Sequence, residues 1–238
     1  MSEDVRYKHD DYSIRSQDSY AHAKYEIVLK WLPQTPNLRV LNAGCGSGEM
    51  NILLARQTTW QVDGIDLDEE AIQRSQQLKE AYKATNLHIS QAGIETHPGR
   101  DYDVIIANDV LEHIEDDRAA IRHLAAMLKP NGTLCVSVPA LQWLFGHHDH
   151  SLGHFRRYNK ALLTSRLAPV FNVEKCRYFA ATLIPIAILY SRILQTAYPV
   201  AEGSQNPITG RILHTLFEIE KTVALPIGTS LLALATRK

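Results

Sequence analysis

The sequence is poor in cysteine, with three in 238 residues. An odd number at wide spacings fits neither a disulfide framework nor paired zinc-binding cysteines; the three are Cys45, Cys135 and Cys176. The first twelve residues are polar and charged, which is not the composition of a secretory signal. Both observations favour a reducing compartment, and we expect a cytoplasmic protein.

Long apolar runs are also missing. The best candidate for a membrane segment, Leu183 to Tyr190, contains Pro185 and is followed by Ser191-Arg192, whereas a spanning helix needs about 20 apolar residues. A buried helical cap is therefore the favoured interpretation, and peripheral contact with lipid stays open as an alternative.

Charge of one sign is lacking as well, because 25 Lys and Arg oppose 26 Asp and Glu to give a formal net charge of -1. No bulk electrostatic field draws such a chain to nucleic acid. Hydrophobic residues make up 45% of the chain and charged residues 21%, as in an ordinary globular protein. The length suits one large α/β domain.

Strand-like and helix-like segments alternate from residue 38 onward, which predicts a mostly parallel sheet with crossover helices. The predicted strands are 38–43, 61–66, 87–91, 102–108, 133–138, 171–178 and 229–235. The predicted helices are 68–84, 116–129, 160–167, 181–200 and 207–225. The second of these helices is expected to stop at Pro130-Asn131-Gly132.

A glycine-rich turn follows the first predicted strand. Gly44, Gly46 and Gly48 form GxGxG, whereas the dinucleotide fingerprint GxGxxG would require glycine where Glu49 stands. Such a turn lets backbone N–H groups approach a ligand closely. Asp66 ends the second predicted strand, where a carboxylate can accept both ribose hydroxyls of an adenosine. The pattern favours an adenosine-containing ligand other than a dinucleotide.

Four segments in this order resemble the motifs of class I S-adenosylmethionine-dependent methyltransferases: VLNAGCGSG (40–48), GIDLDEEAI (64–72), DYDVIIANDVLEHI (101–114) and LKPNGTLCVSVP (128–139). The resemblance implies a Rossmann-like three-layer sandwich, with a mostly parallel seven-stranded sheet, helices on both faces, an antiparallel last strand and a helical cap. It implies S-adenosyl-L-methionine as the cofactor and S-adenosyl-L-homocysteine as its product. We expect no metal.

The same resemblance assigns cofactor contacts. The glycines of the turn would border the methionyl part and the ribose, Asp66 the ribose hydroxyls, and Leu67 the adenine face. Asn108 and Asp109 would approach the methionyl amine or the reacting centre. Two positions depart from the family pattern: Asn42 replaces a common acidic residue, and Ala92-Gly93 replaces an aspartate near the adenine. The full predicted set is Tyr20, Asn42, Gly44, Cys45, Gly46, Gly48, Asp66, Leu67, Gly93, Asn108 and Asp109.

Histidines and aromatic residues crowd the loop after the fifth strand, at the edge where open α/β sheets bind ligands. Its string HDHSLGHFRRYN (148–159) is similar to HDxxLGHxRRY of a bacterial methyltransferase branch (type 11/12-like). A metal site, a purely structural loop and an acceptor site are three alternatives here. On the acceptor reading, His154 and His148 are candidate bases and Asp149 orients one of them. Candidate substrate contacts are Tyr12, His113, Trp143, Arg157 and Tyr158.

These expectations divide a single domain, 1–238, into four parts. Residues 1–37 are expected to form a helical lid over the cofactor, because aromatic rings attract a sulfonium through cation–π contact. The alternative is a helix that only packs on the domain. Residues 38–138 hold the cofactor, 139–226 form the acceptor loop and an apolar helical insertion, and 227–238 form a closing strand.

The predicted activity is methyl transfer to an O or N atom of a small, fairly apolar molecule, as in secondary metabolism. A lipid- or isoprenoid-linked acceptor at a membrane surface and a non-catalytic cofactor-binding module are the alternatives. We expect a small-molecule partner, no nucleic acid, and a monomer or homodimer.

Overall fold

The computed structural model describes residues 18–195 and 207–238. Seven strands form one sheet in the order β3-β2-β1-β4-β5-β7-β6. They are β1 (Arg39–Ala43), β2 (Gln61–Asp66), β3 (Leu87–Gln91), β4 (Tyr102–Asn108), β5 (Leu128–Pro139), β6 (Phe171–Phe179) and β7 (Ser230–Arg237). Only β7 pairs antiparallel, with β5 on one side and β6 on the other. The predicted mixed sheet with an antiparallel last strand is confirmed.

Helices cover both faces of this sheet. The α-helices are α1 (Ser19–Trp31), α2 (Glu49–Ala55), α3 (Glu69–Ala81), α4 (Asp117–Met127), α5 (His147–Ser151), α6 (Lys160–Leu167), α7 (Ile184–Ile188) and α8 (Pro207–Thr222). Aspartates start three of them because their carboxylates accept backbone N–H bonds at the first turn: Asp18 for α1, Asp68 for α3 and Asp116 for α4.

Neighbouring residues of the central strands face opposite cores. Val40 and Val104 pack with residues of α1, α2 and α3, whereas Leu41 and Ile105 pack with residues of α4 and α6. Because side chains alternate along a strand, a sheet buried on both faces needs apolar residues at every position. This explains the continuous apolar run from Val104 to Ala107 in the central strand β4, and the result is the predicted three-layer architecture.

The strand order places a crevice at one edge of the sheet. β1 pairs with β2 on one side and with β4 on the other, so consecutive connections leave β1 in opposite directions. Open α/β sheets bind ligands at such a reversal, outside the carboxyl ends of the strands. The residues that end these strands, Ala43, Asp66 and Asn108, therefore border one site.

Two strands differ from the sequence-based expectation. β5 begins at Leu128, which pairs with Tyr102, and the expected stop at Pro130-Asn131-Gly132 lies inside it as an irregularity with Asn131 at φ 61°. β7 is an inner strand, and β6 forms the edge of the sheet. Both features depend on pairing with distant strands, which local patterns do not encode.

The expected helix 181–200 is a series of short turns. A 3-10 turn, Ala181–Leu183, leads into α7 and then into a π-helical segment, Leu189–Leu194. Its end, like Tyr12 and the first part of the expected lid, lies outside the described residues. Within 18–195 and 207–238, no helix has the length and apolar character required to cross a bilayer.

Candidate active site

The turn after β1 contains two glycines, Gly44 and Gly48, that a larger residue could not easily replace. Gly44 and Gly48 have φ of 70° and 97°, a backbone region that favours glycine. A Cβ on Gly44 would lie 2.3 Å from Cγ2 of Val110, and one on Gly48 would lie 2.9 Å from the Cα of Ser75. The turn therefore brings bare backbone close to β4 and α3.

Asp66 is fixed at the end of β2 by two backbone donors. The Gly46 N–H donates to its Oδ2 at 2.8 Å, and the Asp68 N–H donates to its Oδ1 at 3.0 Å. Beside it, Leu67 is 71% exposed and forms part of the cavity wall with Gly93. A Cβ on Gly93 would lie 3.2 Å from Leu67 Cδ2. A carboxylate with an adjacent flat apolar surface suits a ribose and an attached ring.

Asn42 connects the strand before the glycine turn to the two helices that follow it in sequence. Its Nδ2 donates to Oδ1 of Asn51 at 2.8 Å, and Nδ2 of Asn51 donates to Oγ of Ser75 at 3.0 Å. The amide thus joins β1 to α2 and α3. Cys45, in the same turn, is buried; burial and the Asp66 charge raise the pKa of its thiol to about 12. Cys45 is therefore a neutral thiol and contributes no nucleophile.

The end of β4 carries an unsatisfied amide. Both polar atoms of the Asn108 side chain are buried without a hydrogen-bond partner, and the residue lines the cavity. Buried amides are normally paired, so this position is suited to a polar ligand group. Asp109 follows at φ 55°, and its Oδ1 accepts a 3.2 Å bond from Ser137 Oγ.

Lys24 is a functional candidate that sequence reasoning missed. Helix α1 carries it into the cavity wall, where its Nζ donates to Oδ2 of Asp109 although only 3% of the residue is exposed. Burial acts to lower the pKa of Lys24, but the Asp109 charge and Tyr20 outweigh it and leave the pKa raised. A cation and an anion side by side match the zwitterionic head of an amino acid.

Tyr20, a predicted cofactor contact, also lies in the cavity wall. Its ring stacks on Phe179 with centroids 6.0 Å apart, and the Lys24 Nζ lies 4.5 Å from its centroid. Its hydroxyl is hydrogen-bonded to Ser230 Oγ. These contacts anchor α1 on the sheet next to the site.

The acceptor loop is organised around Asp149, which is fully buried. This carboxylate accepts from the Gly146 N–H at 3.0 Å, from Nδ1 of His154 at 2.9 Å and from Nε of Arg157 at 2.7 Å. Burial alone would raise the pKa of Asp149, but His154 and Arg157 outweigh it and hold the pKa at about 2. Since the carboxylate is ionised and acceptor-only, His154 donates to it through Nδ1, and in the neutral ring of this tautomer Nε2 is the acceptor atom.

His148 and Glu112 complete this side of the cavity. Burial lowers the pKa of His148 to about 4, so its ring is neutral. Glu112 is 1% exposed, its Oε2 has no hydrogen-bond partner, and burial and the Asp109 charge raise its pKa. The sequence signal for Glu112 was its place in DYDVIIANDVLEHI beside His113, which sequence reasoning did select.

The structure brings most of the predicted site residues to one cavity of about 1380 Å³. Four of the described ones are placed otherwise. Asp149 is fully buried behind His154 and Arg157, to which it is hydrogen-bonded, and the other three lie elsewhere. Gly48 packs on Ser75, Trp143 is 48% exposed outside the cavity lining, and Tyr158 is buried, where its hydroxyl donates to Asp117 at 3.0 Å. Single small-molecule pockets are roughly 300–1,000 Å³, so the cavity has room for a cofactor and an acceptor together. Its predicted members are Tyr20, Asn42, Gly44, Cys45, Gly46, Asp66, Leu67, Gly93, Asn108, Asp109, His113, His148, His154 and Arg157.

Comparison with known sequences connects this site to one family. The family described as methyltransferase domain matches residues 15–182. An uncharacterized methyltransferase of Mycobacterium tuberculosis is 31% identical over 116 residues, covering 49% of this chain and 58% of that protein. A ubiquinone biosynthesis O-methyltransferase of Erwinia tasmaniensis is 31% identical over 123 residues, covering 49% of this chain and 50% of that protein. The chain therefore spans about half the length of the curated relatives it matches.

A solved structure shares the fold. The S-adenosylmethionine-dependent methyltransferase from Mesorhizobium loti superposes with a TM-score of 0.62 at 18% sequence identity, covering 90% of this chain and 98% of that one. At this level of identity the likeness concerns the architecture of the sheet and its helices.

Proposed function

Because the chain belongs to the methyltransferase domain family, we propose that it is an S-adenosyl-L-methionine-dependent methyltransferase acting on an O or N atom of a small, fairly apolar molecule. The observation that carries this proposal is Asn108, whose side-chain amide has no hydrogen-bond partner and which lines the same cavity as Asp66. One polar ligand long enough to reach both would satisfy them.

The residues of the cavity suit the parts of this cofactor. Asp66 would accept the ribose hydroxyls, and Leu67 with Gly93 would contact the adenine. Lys24 and Asp109 would pair with the carboxylate and ammonium of the methionyl group, and Asn108 would bond its polar atoms. When bound, the cofactor supplies a methyl group on a positively charged sulfur, which is already a good leaving group.

Given that leaving group, the chain mainly aligns the acceptor and excludes water. Helix α1, with Tyr20 and Lys24, closes one side of the cavity. A hydroxyl acceptor must also lose its proton. His154 is the leading candidate for this step, since Asp149 fixes its tautomer and leaves Nε2 to take the proton. His148, neutral and in the same cavity, is the second candidate.

The acceptor side of the cavity favours an apolar molecule. Leu183, Ile186 and Ala187 line it from the insertion after β6. The near-zero net charge of the chain adds no attraction for polyanions. The Erwinia relative is named for ubiquinone biosynthesis, which supports an acceptor with an ionisable ring hydroxyl. A role in secondary metabolism, a cytoplasmic location and a monomer or homodimer remain parts of this proposal.

Binding of S-adenosylhomocysteine, measured by calorimetry, tests the cofactor assignment. Asp66→Ala is expected to weaken binding about 100-fold, because hydrogen bonds to a charged group contribute about 1.5–3 kcal/mol. Lys24→Met is expected to weaken it about tenfold by removing the cation that faces the carboxylate.

Glu115→Ala is the matched control, since it removes an exposed carboxylate near the same edge of the sheet. Asp66→Asn retains an oxygen for the Gly46 and Asp68 donors and should bind with intermediate affinity. Unchanged affinity in both Asp66→Ala and Lys24→Met would contradict the proposed site, and absence of binding to the unmodified chain would contradict the function.

A second candidate acceptor is a lipid- or isoprenoid-linked molecule at a membrane surface. The observation that favours it is a group of exposed apolar residues on the segment whose Ile186 lines the cavity: Ile186, Leu189, Ile193 and Leu194. On this view the acceptor would reach the cavity from the bilayer along these side chains.

Sedimentation with lipid vesicles and a series of 4-alkylcatechols and 4-alkylanilines separate the two acceptor classes. A membrane-surface enzyme should sediment with vesicles, lose this behaviour in the variant Ile193→Asp/Leu194→Asp, and prefer the longer alkyl chains. Tyr82→Asp, at an exposed aromatic residue outside this group, is the control. Failure to sediment together with a preference for short chains supports the small, soluble acceptor.

A further inference from the structure

Two segments far apart in sequence bring three metal-binding side chains together. Glu112 and His113 belong to the 3-10 turn Leu111–His113 after β4, and His154 follows α5. One ligand atom from each lies within 4.8 Å of the others. Within the described ranges, this is the one group of at least three histidine, cysteine, aspartate or glutamate residues with such spacing.

The backbone holds these two segments against each other. The Phe155 N–H donates to the Glu112 carbonyl at 2.8 Å. The Arg156 guanidinium donates to the carbonyls of Ile114 and Glu115, both at 2.6 Å. The two segments are therefore fixed next to the ligands by one backbone hydrogen bond and by the Arg156 guanidinium.

Glu112 points to a bound cation. It is 1% exposed and its Oε2 has no hydrogen-bond partner. An unpaired buried carboxyl group is costly unless something compensates it. From this geometry we infer that Glu112, His113 and His154 bind one divalent cation at the acceptor end of the cavity.

His154 is oriented as a metal ligand would be. Its Nδ1 donates to Oδ1 of Asp149 at 2.9 Å, and Arg157 in turn holds Asp149 at 2.7 Å. A carboxylate behind a histidine fixes the tautomer and increases the basicity of the other ring nitrogen in many metal sites. The T-shaped contact of the His113 and His154 rings, 4.6 Å between centroids, places both imidazoles beside the same space.

The ligand set indicates the kind of cation. Two imidazoles and one carboxylate suit Zn²⁺ and similar transition metals, and three protein ligands leave a coordination position open. Tetrahedral coordination at about 2.0–2.2 Å places the ligand atoms about 3.3–3.6 Å apart. Because the three atoms lie within 4.8 Å of one another, tetrahedral binding requires them to approach by at most about 1.5 Å, which side-chain rotation can supply.

This inference rests on the proposed function and extends it to the acceptor. The acceptor oxygen would fill the open coordination position of the bound cation. The cation would lower the pKa of the acceptor hydroxyl, which then releases its proton to water. An electron pair of the acceptor oxygen then forms the bond to the methyl carbon. The carbon–sulfur bond breaks at the same time, and sulfur keeps the electron pair of that broken bond. The sequence alone predicts no metal and offers a metal site as an alternative only within the loop 148–159, whereas this cluster takes Glu112 and His113 from the turn after β4.

Titration of the untagged, chelator-dialysed chain with Zn²⁺ against a chromogenic chelator tests the site, and Co²⁺ absorption reports the coordination. We expect one ion per chain and affinity at least tenfold lower in Glu112→Gln, His113→Asn and His154→Asn. His147→Asn, an exposed histidine of the same loop, should bind like the unmodified chain.

Absence of stoichiometric binding, or binding that none of the three substitutions weakens, overturns the inference. Circular dichroism checks that each variant folds; if Glu112→Gln does not, the partly exposed His113 carries the test. S-adenosylhomocysteine calorimetry on the same samples separates the two proposals. If the chain binds S-adenosylhomocysteine but no cation, the proposed function stands and the cation site is refuted. If it binds the cation but not S-adenosylhomocysteine, the cation site stands and the proposed function is refuted.

Discussion

Replacement of Asp149 by alanine is expected to lower the free energy of unfolding by about 3–5 kcal/mol, the usual cost of removing one partner of a buried ion pair. Asp149 is fully buried, and the Arg157 side chain that donates to it at 2.7 Å is 1% exposed. Without the carboxylate, the guanidinium charge stays buried opposite an apolar methyl group. Urea unfolding followed by circular dichroism measures the change.

The charge on Arg157 can be removed in the same background. If the loss arises from that charge, Asp149→Ala/Arg157→Met should be more stable than Asp149→Ala, because apolar replacements of buried pairs are often neutral. Glu70→Ala, which breaks the exposed pair with Arg74 at 3.0 Å, should cost at most about 1 kcal/mol. A double variant as unstable as the sum of its two single changes would contradict this account.

The contribution of Asp149 to the free energy of unfolding decreases as the pH is lowered. The pKa of Asp149 is lowered from 3.8 to about 2 in the folded chain. Its contribution to stability is therefore fully present above about pH 4 and is lost as pH falls toward 2.

Much of the fold could be predicted because buried parallel strands leave a strong local signal. The strands β2 and β4 each carry buried apolar residues at their centre and end in a polar residue, Asp66 and Asn108. The carboxyl ends of such strands meet at one edge, so sequence order alone brings these two residues together. The start of β5 and the inner position of β7 could not be found this way, since both are set by pairing across the sheet.

The remaining residues of the candidate site were less predictable, for physical reasons that differ from residue to residue. Lys24 is a charged residue that is buried only because Asp109 neutralises it across the fold. Glu112 meets His154 because the backbone of Phe155 pairs with that turn. Tyr158 was expected to contact substrate, but its hydroxyl bonds to Asp117 and its ring fills the core. Histidine and tyrosine serve packing and chemistry equally well, so composition alone does not separate the two.

Replacement of His154 by asparagine is expected to reduce turnover of an alkylcatechol acceptor by about 10²–10⁴-fold, the usual contribution of a positioned proton acceptor. The asparagine amide can still donate to Asp149, so the buried carboxylate keeps a partner while the Nε2 lone pair is lost. Affinity for S-adenosylhomocysteine should change little, because His154 lies in the loop after β5, whereas most of the predicted cofactor contacts lie at the ends of β1, β2 and β4. Formation of that product over a single turnover is the measurement.

The pattern across variants separates two ways in which Nε2 can act. If it takes the proton directly, Glu112→Gln should leave the rate nearly unchanged and added Zn²⁺ should inhibit by occupying the lone pair. If it binds a cation that ionises the acceptor, Glu112→Gln should slow turnover as much as His154→Asn, and chelation should do the same to the unmodified chain. His148→Asn tests the second candidate base in the same assay. Equal rates for His154→Asn, His148→Asn and the unmodified chain would show that neither histidine takes part, and proton removal would then fall to the acceptor and solvent.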